Sequence, residues 1–348
     1  MSFLLYGATG YSGRLIAREA IARGHRPTLA GRNRVTVEAL AQELDLPWIA
    51  VGLDDTDPLA EVVRLFPAVL NCAGPFIHTW RPMSKACLLA KVHYLDITGE
   101  ITVFEGLARA DQLAREVGVS LIPGVGFDVV PTDCLAAHLH QRLPTATALR
   151  LAFKTSGGMS HGTARTALEG VGRPGAVRRD GVITPVPPGY RTLEVDFGDG
   201  KSRMAVTIPW GDVSTAYHST GIGNIEVYMA MSPGRIKALR RTRYFGFLLR
   251  SAPVRWLART MVDRGPAGPS PEARAAGTTS VWGEVTDLEG GRVAGRIQGP
   301  EGYTLTALSA VRAMERTLSG VAPGFQTPSL AFGPDFVLDI PGATREDL

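Results

Sequence analysis

Glycines occupy positions 7, 10 and 13, directly after the apolar run Phe3-Leu4-Leu5-Tyr6, and a segment carrying Leu15, Ile16, Ala20 and Ile21 on one face follows. Apolar run, glycine turn and helix form the opening of a dinucleotide-binding βαβ unit. The three glycines serve different ends. Gly7 lets the chain leave the strand tightly, Gly10 leaves room for a pyrophosphate at the backbone, and Gly13 lets the helix lie close to the sheet. The loop Gly7, Thr9, Gly10, Tyr11, Ser12 and Gly13 would offer free N–H groups and the positive end of a helix to phosphates. The same spacing also suits a tight turn that holds nothing. A second run, Pro27–Ala30, ends in Gly31-Arg32-Asn33-Arg34. A carboxylate there would accept hydrogen bonds from an adenosine ribose and repel a 2′-phosphate. The sequence has none, and Arg32 with Arg34, flanking Asn33, supplies charge that can hold phosphate bidentately. This selects NADP(H) over NAD(H), unless the arginines only cap a solvated turn.

A nicotinamide cofactor needs from its protein positioning, polarisation of the acceptor and a source of protons. Asp54 can reach an adenine amino group or cap the helix that Asp57-Pro58 starts. The small residues of Cys72-Ala73-Gly74-Pro75-Phe76 admit a ligand to the backbone, and this loop is expected to wall the nicotinamide–ribose site, while Gly99 and Glu100 are expected among the cofactor-binding residues. Glu100 either hydrogen-bonds the cofactor or closes a helix turn. Four residues are candidate proton donors. Tyr94 lies inside an apolar strand, where a core role competes. His78 follows the Cys72–Pro75 loop, where a solvated role competes. Asp128 follows the glycine turn Gly124-Val125-Gly126-Phe127 and can donate a proton, cap a helix or bind ribose. His161, in Ser160-His161-Gly162-Thr163, stands at a helix N-terminus that would face a substrate. Cys72 has no identifiable base beside it and is not read as a nucleophile. The three cysteines show neither a C-x-x-C pair nor histidine spacing for zinc, so no metal site is expected.

These residues need elements to hold them. From residue 1 to 130 strands and helices alternate, which argues for a parallel sheet wound on both faces, with ligands at the carboxyl ends of the strands. Helices are expected over 83–90 and 103–116, among others. Beyond 145 the pattern turns β-rich, with Gly198-Asp199-Gly200 and Asp287-Leu288-Glu289-Gly290-Gly291 as hairpin turns. Arg173–Pro188, rich in proline and glycine, reads as a loop or flap. Leu305–Leu318 is an amphipathic helix that needs tertiary support. The expected fold class is α/β: a Rossmann-type doubly wound parallel sheet over 1–134, an inserted, largely antiparallel α+β substrate and dimerisation domain over 135–302, and a C-terminal helix and tail over 303–348 returning to the Rossmann domain. A homodimer is compatible with this plan.

The glycine loop, Leu29-Ala30-Gly31-Arg32-Asn33, Asn71-Cys72-Ala73-Gly74-Pro75-Phe76, Tyr94-Leu95-Asp96-Ile97-Thr98-Gly99-Glu100 and Pro123-Gly124-Val125-Gly126-Phe127-Asp128 occur together in this order. That set resembles the saccharopine dehydrogenase-like oxidoreductases. The closer resemblance is to their trans-acting enoyl reductase branch, and it extends to Gly268-Pro269-Ser270-Pro271-Glu272-Ala273-Arg274 and Tyr303-Thr304-Leu305-Thr306-Ala307. The resemblance implies an NADP-dependent Rossmann domain with a mixed α/β domain inserted before a C-terminal helix. It implies reduction of a C=C bond in a lipid-like or polyketide chain, or, as in the saccharopine-forming enzymes, of a C=N or C=O bond in an amino-acid-derived substrate. A nucleotide-binding or lipid-associated scaffold without turnover is the reading from outside the enzymes. No arginine cluster suited to several amino-acid carboxylates is evident, which favours the enoyl substrate. His161 stands where a small residue or arginine is expected from the resemblance.

Hydrophobic residues make up 45% and charged residues 20% of the 348, which suits a globular protein with a full core, and the net charge of +4 does not point to nucleic acid. The chain enters its first strand at once and holds no apolar run of about 18 residues, so neither a cleavable signal nor a spanning helix is expected, and the setting is read as cytoplasmic. One stretch departs from this plain surface. Residues 235–264 carry Arg235, Lys237, Arg240, Arg241, Arg243, Arg250, Arg255, Arg259 and Arg264 against Asp263, interleaved with Tyr244, Phe245, Phe247, Leu248, Leu249, Trp256, Leu257 and Met261. This suits an acidic carrier protein or peripheral contact with an anionic membrane. A surface helix pair packing on the sheet gives the same pattern.

Overall fold

The computed structural model describes residues 2–156, 158–170, 172–249 and 251–348, with the side chains of Phe245, Phe247, Leu248, Leu249, Ala252, Arg255 and Arg259 outside that description. Arg250, one of the basic residues singled out above, also lies outside it. The chain runs through Leu4–Tyr6 (β1), Tyr11–Ala22 (α1), Thr28–Gly31 (β2), Arg34–Leu44 (α2), Trp48–Ala50 (β3), Thr56–Val63 (α3), Ala68–Asn71 (β4), Phe76–Ala90 (α4), His93–Asp96 (β5), Ile101–Ala108 (α5), Asp111–Val117 (α6) and Ser120–Ile122 (β6). It continues through Val130–Arg142 (α7), Ala148–Thr155 (β7), His161–Gly170 (α8), Gly175–Arg179 (β8), Val182–Val186 (β9), Thr192–Asp196 (β10), Ser202–Thr207 (β11), Asp212–Thr220 (α9) and Asn224–Ala230 (β12). Last come Pro233–Leu249 (α10), Ala252–Arg264 (α11), Pro271–Ala276 (α12), Thr278–Thr286 (β13), Arg292–Pro300 (β14), Gly302–Ser319 (α13), Gly324–Phe325 (β15), Pro328–Phe332 (α14) and Thr344–Asp347 (β16).

Two compact units result: Met1–Val130 with Tyr303–Gly333, and Pro131–Gly302 with Pro334–Leu348. The first holds a seven-stranded sheet in the order β15-β6-β5-β4-β1-β2-β3, parallel at every junction. Strands β1 and β4 are buried along their whole length, as continuous apolar runs are when helices cover both faces of a parallel sheet. Helix α13 is tied to the end of α1: Arg23 donates two hydrogen bonds to the Glu315 carboxylate at 2.8 and 2.7 Å, and His25 Nε2 lies 2.6 Å from it. Burial alone would raise the Glu315 carboxyl, but Arg23 and His25 hold it below its ordinary range. The Tyr11 and Tyr303 rings meet edge to face, 4.9 Å between centroids.

The second unit holds a nine-stranded mixed sheet, in which β10-β11-β12-β7-β13-β14-β16 run in sequence and the β8–β9 hairpin attaches to β12. Only β7 and β12 pair in parallel among these strands. Helix α7 lies on one face, where Leu135 and Leu139 come so close to Gly283 that a Cβ there would sit 3.0 Å from each.

Three sequence expectations are corrected. Residues 173–188 form the β8–β9 hairpin rather than a loop, because Asp180 and Gly181 both adopt positive φ, +46° and +78°, and make the tight turn that an Asp-Gly pair favours. The helix expected over 103–116 is two helices broken at Arg109 and Ala110, where Asp111 turns aside to accept the N–H of Phe325 at 2.8 Å. The tail expected to follow the C-terminal helix back to the first sheet is divided, since β16 pairs with β14 and residues 334–348 belong to the second unit.

Candidate active site

The chain builds its first sheet outward from β1 in one direction through β2 and β3, then returns to β1's other side through β4, β5 and β6. The order therefore reverses between β1 and β4, and ligands of open α/β sheets bind outside the carboxyl ends of the strands at that point. Register fixes which residues stand there. Ala30, Tyr6, Asn71 and Asp96 are successive partners across the sheet, so four strand ends form one rim.

The glycine loop follows β1 on this rim. Gly7 has φ +78°, and a Cβ on it would lie 2.6 Å from Ala73 N, where the loop after β4 crosses it. A Cβ on Gly13 would lie 2.5 Å from Gly7 O, so this glycine lets α1 press on the loop. Gly10 differs: it is exposed, adopts φ −69°, ψ 164°, and its Cβ would meet Gly7 O alone, at 3.3 Å. No side chain caps α1 at Gly10 and no acid occupies its first turn, so the positive helix end is not neutralised by its own residues. These features fit a pyrophosphate: two glycines are consumed by packing, and the third opens the backbone to solvent.

Polar groups buried under the rim hold the loops in place. Asn71 accepts the N–H of Ala73 at 3.1 Å and donates to Tyr94 Oη at 3.4 Å and Thr79 Oγ1 at 3.3 Å. The Tyr94 hydroxyl donates to Asp96 Oδ2 at 2.6 Å. Asp96 Oδ1 accepts the N–H groups of Thr98 and Gly124, at 3.0 and 2.9 Å, and so ties the ends of β5 and β6 together. Burial pushes Asp96 up to about 6, against the opposing pull of these hydrogen bonds. Burial also lifts the Tyr94 phenol well above its ordinary value, with the Asp96 charge adding to it. Tyr94 is thus placed in the core as a fully engaged residue. Sequence reasoning passed over Asn71, although a polar residue closing a strand of buried apolar ones was a sign of it. It also passed over Asp96 as an anchor, although Asp-x-Thr is the sequence of a turn in which the carboxylate takes the N–H two residues on.

Glu100 serves the start of α4, accepting the N–H groups of Phe76 and Ile77 at 2.8 Å each. This capping from a distant loop starts α4 at Phe76, seven residues before the expected 83–90 helix. Asp128 is half-buried, and its carboxylate rests on Gly99, where a Cβ would lie 2.6 Å from Oδ2. Burial, and then the negative charge of Glu100, push Asp128 up to about 7. The loop that carries Asp128 is clamped from α13: Thr306 Oγ1 accepts the N–H of Phe127 at 3.0 Å, and Ser309 donates to Val125 O at 2.7 Å. Nothing in the local sequence of α13 marks Thr306 for this task.

The remaining candidates are spread more widely. Arg32 is exposed at the end of β2. Burial lifts the Tyr6 phenol to about 12, with Arg32 pulling it down and Asp54 pushing it up, which places both charges beside the end of β1. Arg34 is drawn away, its guanidinium 5.4 Å from the centre of the Trp48 ring. Asn33 caps α2 by accepting the N–H of Thr36 at 3.2 Å. Thr9, Tyr11 and Ser12 are half-buried on the glycine loop, and Ala73, Gly74 and Pro75 border it. The Cys72 thiol is held protonated by burial first and Asp96 second. His78 is exposed in a groove of about 560 Å³ lined also by Trp80 and Arg81 on α4 and by Arg109, just past the end of α5. His161 lies in the second unit, its Nε2 2.9 Å from Gly265 O and its N–H bonded to Ala267 O. Among the described residues no cluster of His, Cys, Asp or Glu could hold a metal ion.

Comparison with known proteins agrees with this geometry. Residues 3–122 match the saccharopine dehydrogenase NADP binding domain. A trans-acting enoyl reductase of Mycobacterium ulcerans (strain Agy99) is 29% identical over 147 residues, which cover 40% of this chain and 35% of that protein. A saccharopine dehydrogenase-like oxidoreductase of Mus musculus is 30% identical over 213 residues, covering 53% of this chain and 50% of that one. The matched stretch thus spans half or less of these curated relatives. The solved apo saccharopine dehydrogenase (L-Glu forming) of Saccharomyces cerevisiae shares the fold, with a TM-score of 0.66 at 12% identity over 100% of this chain and 99% of that one. Residues 3–122, which carry this rim, match that NADP binding domain, and the nucleotide it serves is NADP(H).

Proposed function

We propose that the chain is an NADPH-dependent oxidoreductase that reduces the C=C bond of an enoyl or enone group in a lipid-like or polyketide substrate. The observation that carries this reading is Asp128, an acid on the rim of the nucleotide unit whose carboxyl is held neutral up to about pH 7. Reduction of a conjugated C=C bond needs a hydride at one carbon and a proton at its neighbour; NADPH supplies the hydride. Asp128 holds the proton at a pKa matched to neutral solution, the condition under which a general acid is most effective. Burial, and then the charge of Glu100, keep it there. Asp96 and Thr306 fix the loop on which it stands. Relatives named trans-acting enoyl reductase support the same choice.

The test is a panel of enoyl thioesters, enones, keto acids and imines, each offered with NADPH, with nucleotide oxidation and reduced product measured together. One NADPH consumed per C=C bond reduced is the expected result. Turnover confined to keto acids or imines would move the reaction to amino-acid-derived substrates, and tight NADPH binding with no turnover would make the chain a nucleotide-binding scaffold.

Cofactor choice gives a second measurement. Arg32→Ala is expected to weaken NADPH binding about tenfold to a hundredfold, the worth of about 1.5–3 kcal/mol for a charge-assisted hydrogen bond, and to leave NADH almost unchanged. Equal losses for both nucleotides in calorimetric titration would place the 2′-phosphate elsewhere.

A further inference from the structure

We propose that α10 and α11 form a docking face for an anionic lipid bilayer. The inference stands on this face alone and does not depend on the reductase reading. Along α11 the exposed apolar positions among the described side chains are Pro253, Trp256, Leu257 and Met261, which recur at helical spacing on one side. Trp256 is 69% exposed, Leu257 54% and Met261 68%. The helix turns its other side inward: Val254, Ala258 and Val262 are half-buried, and the helix packs on α8, with Arg165 paired to Asp263 at 2.7 Å. Two further exposed apolar residues lie on the neighbouring elements. Met159 just precedes α8, and Tyr244 on α10 has the Arg243 guanidinium 4.4 Å from its ring centre. Isolated apolar residues are ordinary on a surface, but a helix side of tryptophan, leucine and methionine is not.

Charge identifies the occupant. Residues 233–264 hold nine arginines and lysines and a single acid, an excess of eight positive charges in a chain whose net charge is +4. The rest of the chain is therefore net negative, and the positive charge is concentrated in the segment that carries the apolar stripe. Arg235, Lys237, Arg241, Arg243 and Arg264 are exposed. A second copy of the chain would bring an equal positive surface against this one, and an isologous pair would set like charges together. An anionic bilayer satisfies both features, taking the apolar side chains at the depth of its headgroups and the cations at its surface. Among the described residues no helix is long and apolar enough to cross a membrane, so the contact would lie in the plane of the surface.

The experiment is co-sedimentation of the full chain with vesicles of phosphatidylcholine alone or mixed with phosphatidylglycerol. Wild type is expected to bind the mixed vesicles at low salt, to ignore the neutral ones, and to be released as salt rises. Arg235→Glu with Lys237→Glu and Arg241→Glu should weaken binding by about a hundredfold or more, since each basic residue near such a surface adds about a fivefold factor. Arg240 is left unchanged because its Nε donates to Gly189 O at 2.9 Å and serves the fold. Trp256→Ala with Leu257→Ala and Met261→Ala should also lose binding while keeping the wild-type thermal transition, because these side chains are exposed. Indifference of wild type to anionic vesicles at low salt overturns the proposal. So does equal binding to both vesicle types, capture of an acidic carrier protein without any vesicle binding, or a shift from dimer to monomer as the only effect of the apolar variant.

Discussion

Gly10→Val is expected to fold like the wild type and to bind no measurable NADPH. The two halves of this result have separate causes. Gly10 adopts an extended backbone that valine accepts, and its Cβ would meet only Gly7 O, at 3.3 Å, so the exposed loop has to give by no more than a few tenths of an ångström. The branched side chain then stands on the exposed side of the loop, where the pyrophosphate must approach the backbone and the N-terminus of α1. Neighbouring glycines give the contrast. Gly7→Ala places a Cβ 2.6 Å from Ala73 N at a φ of +78°, so that chain should lose stability first and nucleotide binding as a consequence. Thermal unfolding and NADPH titration, measured on both variants, separate the two effects. A folded Gly10→Val chain that binds NADPH with wild-type affinity would remove the loop from the nucleotide site.

The difference between those glycines also shows what the sequence could and could not convey. The positions of Gly7, Gly10 and Gly13 after an apolar run were enough to place a strand, a turn and a helix, because each glycine answers a local steric demand. Alternation of strand and helix was enough to give the wound parallel sheet, since apolar runs like those of β1 and β4 are buried only there. What escaped were functions that rest on partners far along the chain. Glu100 caps α4 from 24 residues away, and no window around Phe76 contains it. Thr306 holds the N–H of Phe127 across 179 residues, and β16 joins β14 rather than following α13. Tyr94 shows the converse difficulty. A tyrosine in an apolar strand is compatible with chemistry or core, and only the burial of Asn71 and Asp96 beside it decides that its hydroxyl is already engaged. The β8–β9 hairpin, in contrast, was available locally. Asp180-Gly181 is a turn pair, and the surrounding prolines and glycines masked it.

Asp128→Asn is expected to lower kcat for C=C reduction by about a hundredfold to ten-thousandfold, the range for loss of a general acid, while NADPH affinity stays near that of wild type. Asparagine has the shape to rest on Gly99 as the carboxyl does, but it cannot release a proton. The pH profile gives the sharper reading. With Asp128 raised to about 7, the acid form that donates the proton is lost as pH rises through that value, so wild-type kcat/KM should fall there and the variant's should not. Stability follows the same sign. The carboxyl titrates near 3.9 in an unfolded chain and higher in the folded one, so its contribution is complete below the unfolded value and is lost as pH rises through about 7. Asparagine removes that part of the slope. Asp96, raised in the same direction to about 6, leaves a smaller slope behind, which makes denaturation across pH 4 to 8 a comparison between two variants and not between a slope and none. A variant that turns over at the wild-type rate at every pH, yet has lost its share of the stability slope, would make Asp128 a packing residue against Gly99 and move the proton source to another group.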